Sequence, residues 1–122
     1  FKREPEKLIS GGPMMGFALF GLNIPATKTS SALLCFTEDE VEAFKETACI
    51  NCGRCVEACP ELLIPSRLAD FSKNGLMDVF EKWHGLECVE CGSCSFVCPA
   101  KRPLAQAVKT MKKQALAAKR KK

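Results

Sequence analysis

The chain has 122 residues, 47% of them apolar, and a formal charge of +4, a length that holds one compact domain but not comfortably two. No run of 18 consecutive apolar residues occurs, which argues against a transmembrane helix, and nothing reads as a basic start, apolar core and cleavage site in secretory order. The charge is uneven: residues 101–122 hold nine Lys/Arg and no acid, whereas residues 1–100 hold nine Lys/Arg against fourteen Asp/Glu, so the basic character belongs to the C-terminal tail.

In chain order, residues 1–16 read as a charged lead, a short apolar pair and a Gly/Pro loop, with Gly11-Gly12-Pro13 marking a turn. The chain opens on Phe1 and not Met, and reads as a fragment or a processed product. Residues 17–36 are apolar with loop breakers, and "SALLCF" is expected as a short buried strand with Cys35 as a small buried hydrophobe. At Thr37 a helix is expected to begin, because Thr37 and Glu40 form a capping box and Glu38 and Asp39 favour the first turn. Val41, Phe44 and Ala48 give that helix one apolar face, and it leads into Cys49. Two short helices should fill residues 60–87: one starting near Pro65 and stopping at Gly75, and one with Leu76, Val79, Phe80 and Trp83 in phase, stopped by Gly85. Trp83 reads as core and His84 as a helix-end or surface residue. After Pro103, a helix with Leu104, Ala107, Val108, Met111 and Ala115 on one face should dock its first half and fray into the tail.

Nine cysteines raise a choice between disulfides and metal ligands. Eight of them form two copies of C-x2-C-x2-C-x3-C-P, thirty-nine residues apart: Cys49, Cys52, Cys55 and Cys59, then Cys88, Cys91, Cys94 and Cys98. Without a secretory signal, such motifs point to metal or catalysis before disulfides. Zinc sites favour separated C-x2-C pairs, so the tight triple spacing points to 4Fe–4S clusters. Three cysteines at this spacing reach three irons of one cubane, and in two-cluster ferredoxins the fourth ligates the other cluster. The expected sets are Cys49, Cys52, Cys55 with Cys98, and Cys88, Cys91, Cys94 with Cys59. No catalytic residue is expected in this chain. Gly53 and Gly92 match between the runs and let the backbone approach the sulfurs, while Ile50, Val56, Val89, Phe96 and Val97 could keep water away. Two such clusters carry a formal charge of roughly −4, which offsets the chain's +4.

Together with "SGGPMMG" at Ser10–Gly16, the runs "CINCGRCVEACP" and "CVECGSCSFVCPAKRPL" resemble the C subunit of the Rnf (Rsx) ion-translocating electron-transport complexes. The resemblance covers nearly the whole chain, but only the C-terminal two-cluster ferredoxin region of such a subunit. The family's FMN- and NAD-binding region has no counterpart here, and no G-x-G-x-x-G fingerprint or P-loop occurs. The residues read as mainly α over 37–118, after an irregular segment over 1–36 and before a disordered basic tail over 119–122, and the resemblance implies an α-helical ferredoxin-type arrangement for 37–118. It further implies electron transfer through two 4Fe–4S clusters in a ferredoxin:NAD oxidoreductase complex, peripheral to the cytoplasmic side of the membrane. Partners would be the other subunits and ferredoxin. The tail could touch anionic lipid headgroups, and no nucleic acid is expected. Rival readings are the related cobalamin reductase, a heterodisulfide-reductase C-like or glycolate-oxidase cluster protein, or clusters serving only as structural staples.

Overall fold

The computed structural model describes residues 2–28, 30–38 and 45–120, and the chain divides into two compact units, Phe1–Lys45 and Glu46–Lys122. The helix expected from Thr37 falls mostly on residues 39–44, outside the described residues.

The first unit, expected to be irregular, contains a three-stranded antiparallel sheet in the order β2-β1-β3. Its strands are β1 (Lys7–Ser10), β2 (Phe17–Leu19) and β3 (Leu33–Phe36). Leu8 sits between Leu19 and Cys35 in the register and is the buried residue of the sheet. "SGGPMMG" is the connection between β1 and β2. A side chain at Gly16 would lie 2.5 Å from the Gly12 carbonyl oxygen and 2.6 Å from Ile9 Cγ2, and Gly11 holds a φ of 103°. These two glycines therefore shape the hairpin loop. "SALLCF" does form a strand, β3, but an exposed one, and Cys35 is exposed with it. Three or four residues per strand cannot bury both sheet faces without a covering layer, so Phe17 and Leu33 remain 54% exposed.

The second unit is helical. It contains α1 (Arg54–Glu57), α2 (Pro65–Lys73), α3 (Met77–Lys82), a 3-10 turn (Gly85–Glu87), α4 (Ser93–Phe96) and α5 (Leu104–Arg120). The chain as a whole is therefore mixed, and the mainly α expectation holds for this unit alone. Pro65 starts α2, where a missing N–H costs nothing, and Gly75 follows its end at a φ of 68°. Helices α2 and α5 pack through Leu68, Val108 and Met111 onto Phe80 and Leu63, with Phe71, Met77 and Leu86 at the margin. Leu104, Val108, Met111 and Ala115 bury the predicted face of α5, and Ala107 lies at its edge. The helix continues through Lys119 and Arg120, so these two residues are ordered helix and not the disordered tail expected from 119 onward. The last two positions of that expected tail lie outside the described residues. Trp83 is 45% exposed and meets Phe71 edge-on at 5.4 Å, at the rim of the core and not inside it. Gly85 does more than stop α3: an added Cβ would overlap the ring of the fully buried Phe80.

The cysteine repeat is part of a longer backbone repeat. Thirty-nine residues separate α1 from α4 and α2 from α5 at their first residues. The same interval relates the left-handed residues Asn51 and Glu90, Gly53 and Gly92, and Leu62 and Lys101. Two copies of one loop–helix–turn–helix unit thus pack against each other through their long helices. Each full burial of a Leu, Val, Phe or Met contributes about 1.5–3 kcal/mol. With only five residues in the central cluster, a bound group that ties the two copies together would add much of what the core lacks.

Candidate metal centre

Each cysteine run begins in a loop held by two left-handed residues, Asn51 and Gly53 in the first and Glu90 and Gly92 in the second. In the first run, cysteines separated by two residues then line one cavity. The single turns α1 and α4 then carry Cys55 and Cys94 and hand the chain to Cys59 and Cys98. The φ values of 79° and 82° explain Gly53 and Gly92, because an L side chain is strained there. Backbone N–H groups aim at sulfur in both copies: Leu63 N–H donates to Cys59 Sγ and Glu90 N–H to Cys88 Sγ, each at 3.4 Å.

The structure brings the cysteines into two crossed groups. Cys49, Cys52, Cys55 and Cys98 line one cavity of about 210 Å³, together with Arg67 and Arg102. Cys59, from the first run, packs with Cys88 of the second run against one apolar core, and after burial, the larger cause, its thiol helps raise those of Cys88 and Cys94. Among the described residues, no three Cys, His, Asp or Glu side chains close on a single point as ligands of one ion do. The first group is spread around the lining of one cavity. The donors fit the cluster: soft thiolates in two groups of four, with N–H groups pointing at sulfur.

The two groups differ electrostatically. Burial pushes the Cys94 thiol up to about 11, and burial also raises Cys88 against the opposing pull of the Glu90 N–H and Lys112. Cys91, near the surface, is lowered by hydrogen bonds from Ser93. Iron held by Cys88 and Cys94 would take them as thiolates, so their thiol protons would be released on binding. Cys49 and Cys52 are exposed, whereas Cys88, Cys91 and Cys94 are partly buried. Lys112 Nζ donates to the Cys88 carbonyl at 2.6 Å and lies 3.8 Å from Glu90, which Lys109 also approaches at 3.5 Å. On the other side Arg102 donates to Asp70 at 2.5 Å and lies 3.7 Å from Glu46, and Thr47 N–H donates to the Ala100 carbonyl. Sequence reasoning does not single out Arg102. Its signal there is faint: an arginine four residues after a cysteine, where the first run has Leu63. The apolar residues expected to exclude water do so unevenly. Val56 and Val97 are partly buried, but Ile50 is 66% and Phe96 80% exposed. His84 stands apart from both groups, exposed and 2.8 Å from Glu87.

Residues 48–102 match the family model of the 4Fe-4S dicluster domain. Over 119 residues, 97% of its length, the chain is 50% identical to the C subunit of the proton-translocating ferredoxin:NAD(+) oxidoreductase complex of Clostridium ljungdahlii. This chain is a relative of the Rnf-complex C subunit. It is also 44% identical over 121 residues, 99% of its length, to the C subunit of the Na(+)-translocating ferredoxin:NAD(+) oxidoreductase complex of Acetobacterium woodii. It is 44% identical over 114 residues, 93% of its length, to the C subunit of the ion-translocating oxidoreductase complex of Methanosarcina acetivorans. The chain spans 26%, 27% and 26% of these curated relatives respectively, about a quarter of each. The resemblance read from "SGGPMMG" and the two cysteine runs therefore extends over nearly the whole chain. The names of the first two relatives carry different ions, so likeness in this region does not select between them.

Proposed function

We propose that this chain carries electrons through two 4Fe–4S clusters, as part of an Rnf-type ion-translocating ferredoxin:NAD oxidoreductase complex. The observation that carries the reading is the cavity shared by Cys49, Cys52 and Cys55 with Cys98 of the other run. Its counterpart is Cys59, which packs with Cys88 of the second run against one apolar core. The proposed ligand sets are therefore Cys49, Cys52, Cys55, Cys98 and Cys88, Cys91, Cys94, Cys59. When bound, such clusters supply one-electron steps and no other chemistry. The chain's own contribution is to hold two sites at a set separation, with α2 packed on α5. It also directs N–H groups at sulfur and limits water around the second set.

No helix among the described residues is long and apolar enough to cross a membrane. We assign the chain a peripheral place on the cytoplasmic side of a membrane complex. Its partners there are the other subunits and ferredoxin, and FMN and NAD are bound by regions of the Rnf-type protein that this chain does not represent. The basic end of α5, with Lys119 and Arg120, suits an anionic lipid surface or an acidic partner.

The test is iron and sulfide analysis with electron paramagnetic resonance of the dithionite-reduced protein. About eight irons per chain and a spin-coupled two-cluster spectrum are expected. Cys98→Ser should lower iron to about half and leave one cluster signal. Bound zinc, or full iron content in Cys98→Ser, would overturn the assignment.

A further inference from the structure

The repeat breaks at one buried position. Leu63 and Arg102 are related by the thirty-nine-residue interval, each four residues after the last cysteine of its run, and are 8% and 7% exposed. Leu63 joins the apolar core, whereas Arg102 brings a fixed charge to the same place in the other copy. Arg102 lines the cavity that holds Cys49, Cys52, Cys55 and Cys98. Asp70 and Glu46 take its Nη2 and Nε from the solvent side. Among the described residues its Nη1 is buried with no nitrogen or oxygen partner. A buried guanidinium N–H left unpaired is costly, and charged donors are the costliest. The side-chain neighbour left to it is the Cys49 sulfur, which lines the same cavity and, behind Asp70, favours the charged guanidinium.

The charges around the two sites do not act alike. Asp70 and Glu46 have side chains 41% and 40% exposed, so water screens them, while the arginine they orient is enclosed. At the second site two partly exposed lysines, Lys112 and Lys109, both face the Glu90 carboxylate, which opposes them, and Lys112 is also drawn to the Cys88 carbonyl. Among the described residues, the buried cation that the copies do not share therefore stands by the first site. Hydrogen bonds and positive charge at cluster sulfurs favour the reduced, more negative form.

We propose that Arg102 sets the difference between the two centres, holding the Cys49-side cluster at the higher potential so that an electron shared by the pair rests there. The inference rests on the ligand sets proposed above. Its electron balance is simple: the Cys88-side centre gives up one electron and the Cys49-side centre gains it, with no proton moved. Arg102 is a positioning and tuning residue, acting through sulfur and not on a substrate.

The experiment is a potentiometric titration of the full chain, loaded with both clusters and followed by electron paramagnetic resonance. The wild-type protein should reduce in two resolved steps. Arg102→Leu, which copies Leu63, should lower the upper step at least tenfold in its one-electron equilibrium, ~59 mV, and leave the lower step in place. Asp70→Asn, which removes the guanidinium's counter-charge, should move the upper step the other way. Arg102→Gln, uncharged and close to arginine in polarity, should lower the upper step as Arg102→Leu does and decides the question if Arg102→Leu loads poorly. Two clusters titrating together in the wild type, a shift of both steps alike, or a shift confined to the lower step would overturn the proposal. Iron and sulfide content is read on the same samples. A shortfall in the wild type would fail the two-cluster reading itself, whereas full loading with unmoved potentials would fail only the role of Arg102.

Discussion

Leu63 and Arg102 stand at one place in two copies of one backbone, and the copies around them differ in the same sense. The Cys49 side has two exposed cysteines and a buried arginine; the Cys88 side has partly buried cysteines and lysines committed to Glu90 and a carbonyl. Backbone angles repeat to within a few degrees at Gly53 and Gly92, at 79° and 82°, although few side chains between the cysteines repeat. A duplicated metal-binding loop thus keeps the torsions that aim its sulfurs and is free to change what lies behind them. Two sites of one geometry can in this way acquire two electrostatic environments.

The broadest challenge to that comparison is removal of the metal. Under the proposed crossed ligation the clusters tie both copies together, so chelation or acid loss of iron should unfold residues 45–104 as one unit, with cooperative loss of helical circular dichroism. A native-like spectrum in iron-free protein would mean that α2 and α5 hold together on the apolar core alone.

A smaller effect tests where the copies differ by packing. Gly85 lies against Phe80, and thirty-nine residues earlier the chain has Glu46. Gly85→Ala should cost about 1–3 kcal/mol through overpacking, read as a lower melting temperature at unchanged iron content. An unchanged melting temperature would show that the Phe80 ring moves aside freely.

The smallest effect compares two lysines at the same place in the repeat. Lys73 pairs with Glu46 at 2.5 Å where both side chains are exposed, while Lys112, 20% exposed, donates to the Cys88 carbonyl. Lys73→Ala should cost less than about 0.5 kcal/mol and Lys112→Ala about 1 kcal/mol. Equal costs in denaturant melts would remove this distinction between the sides.

Much of the second unit is legible locally. The cysteine spacing is a statement about reach along a few bonds, so both runs can be read from residues alone. The faces of α2 and α5 follow from helical period, and the Pro65 and Gly75 boundaries from torsional preference. The strands of the first unit are not legible in this way, because three or four residues give no measurable alternation. Their pairing is between Lys7–Ser10 and Leu33–Phe36, far apart in the chain. Residue type alone places Cys35 and Trp83 in the interior, but it measures average burial and says nothing of the surface available at one place.

The sequence by itself determined the metal chemistry, because thiolate number and spacing limit which ions and clusters a loop can bind. It also determined the likeness to the Rnf-complex C subunit, carried by contiguous residues. Only the tertiary structure decided that the repeat extends through α2 and α5, since torsions recur there where residue types do not. It alone set Arg102 in the cavity of the first site, with its Nη1 lacking a nitrogen or oxygen partner among the described residues, because burial and pairing are properties of neighbours brought together from Cys49, Asp70 and Cys98.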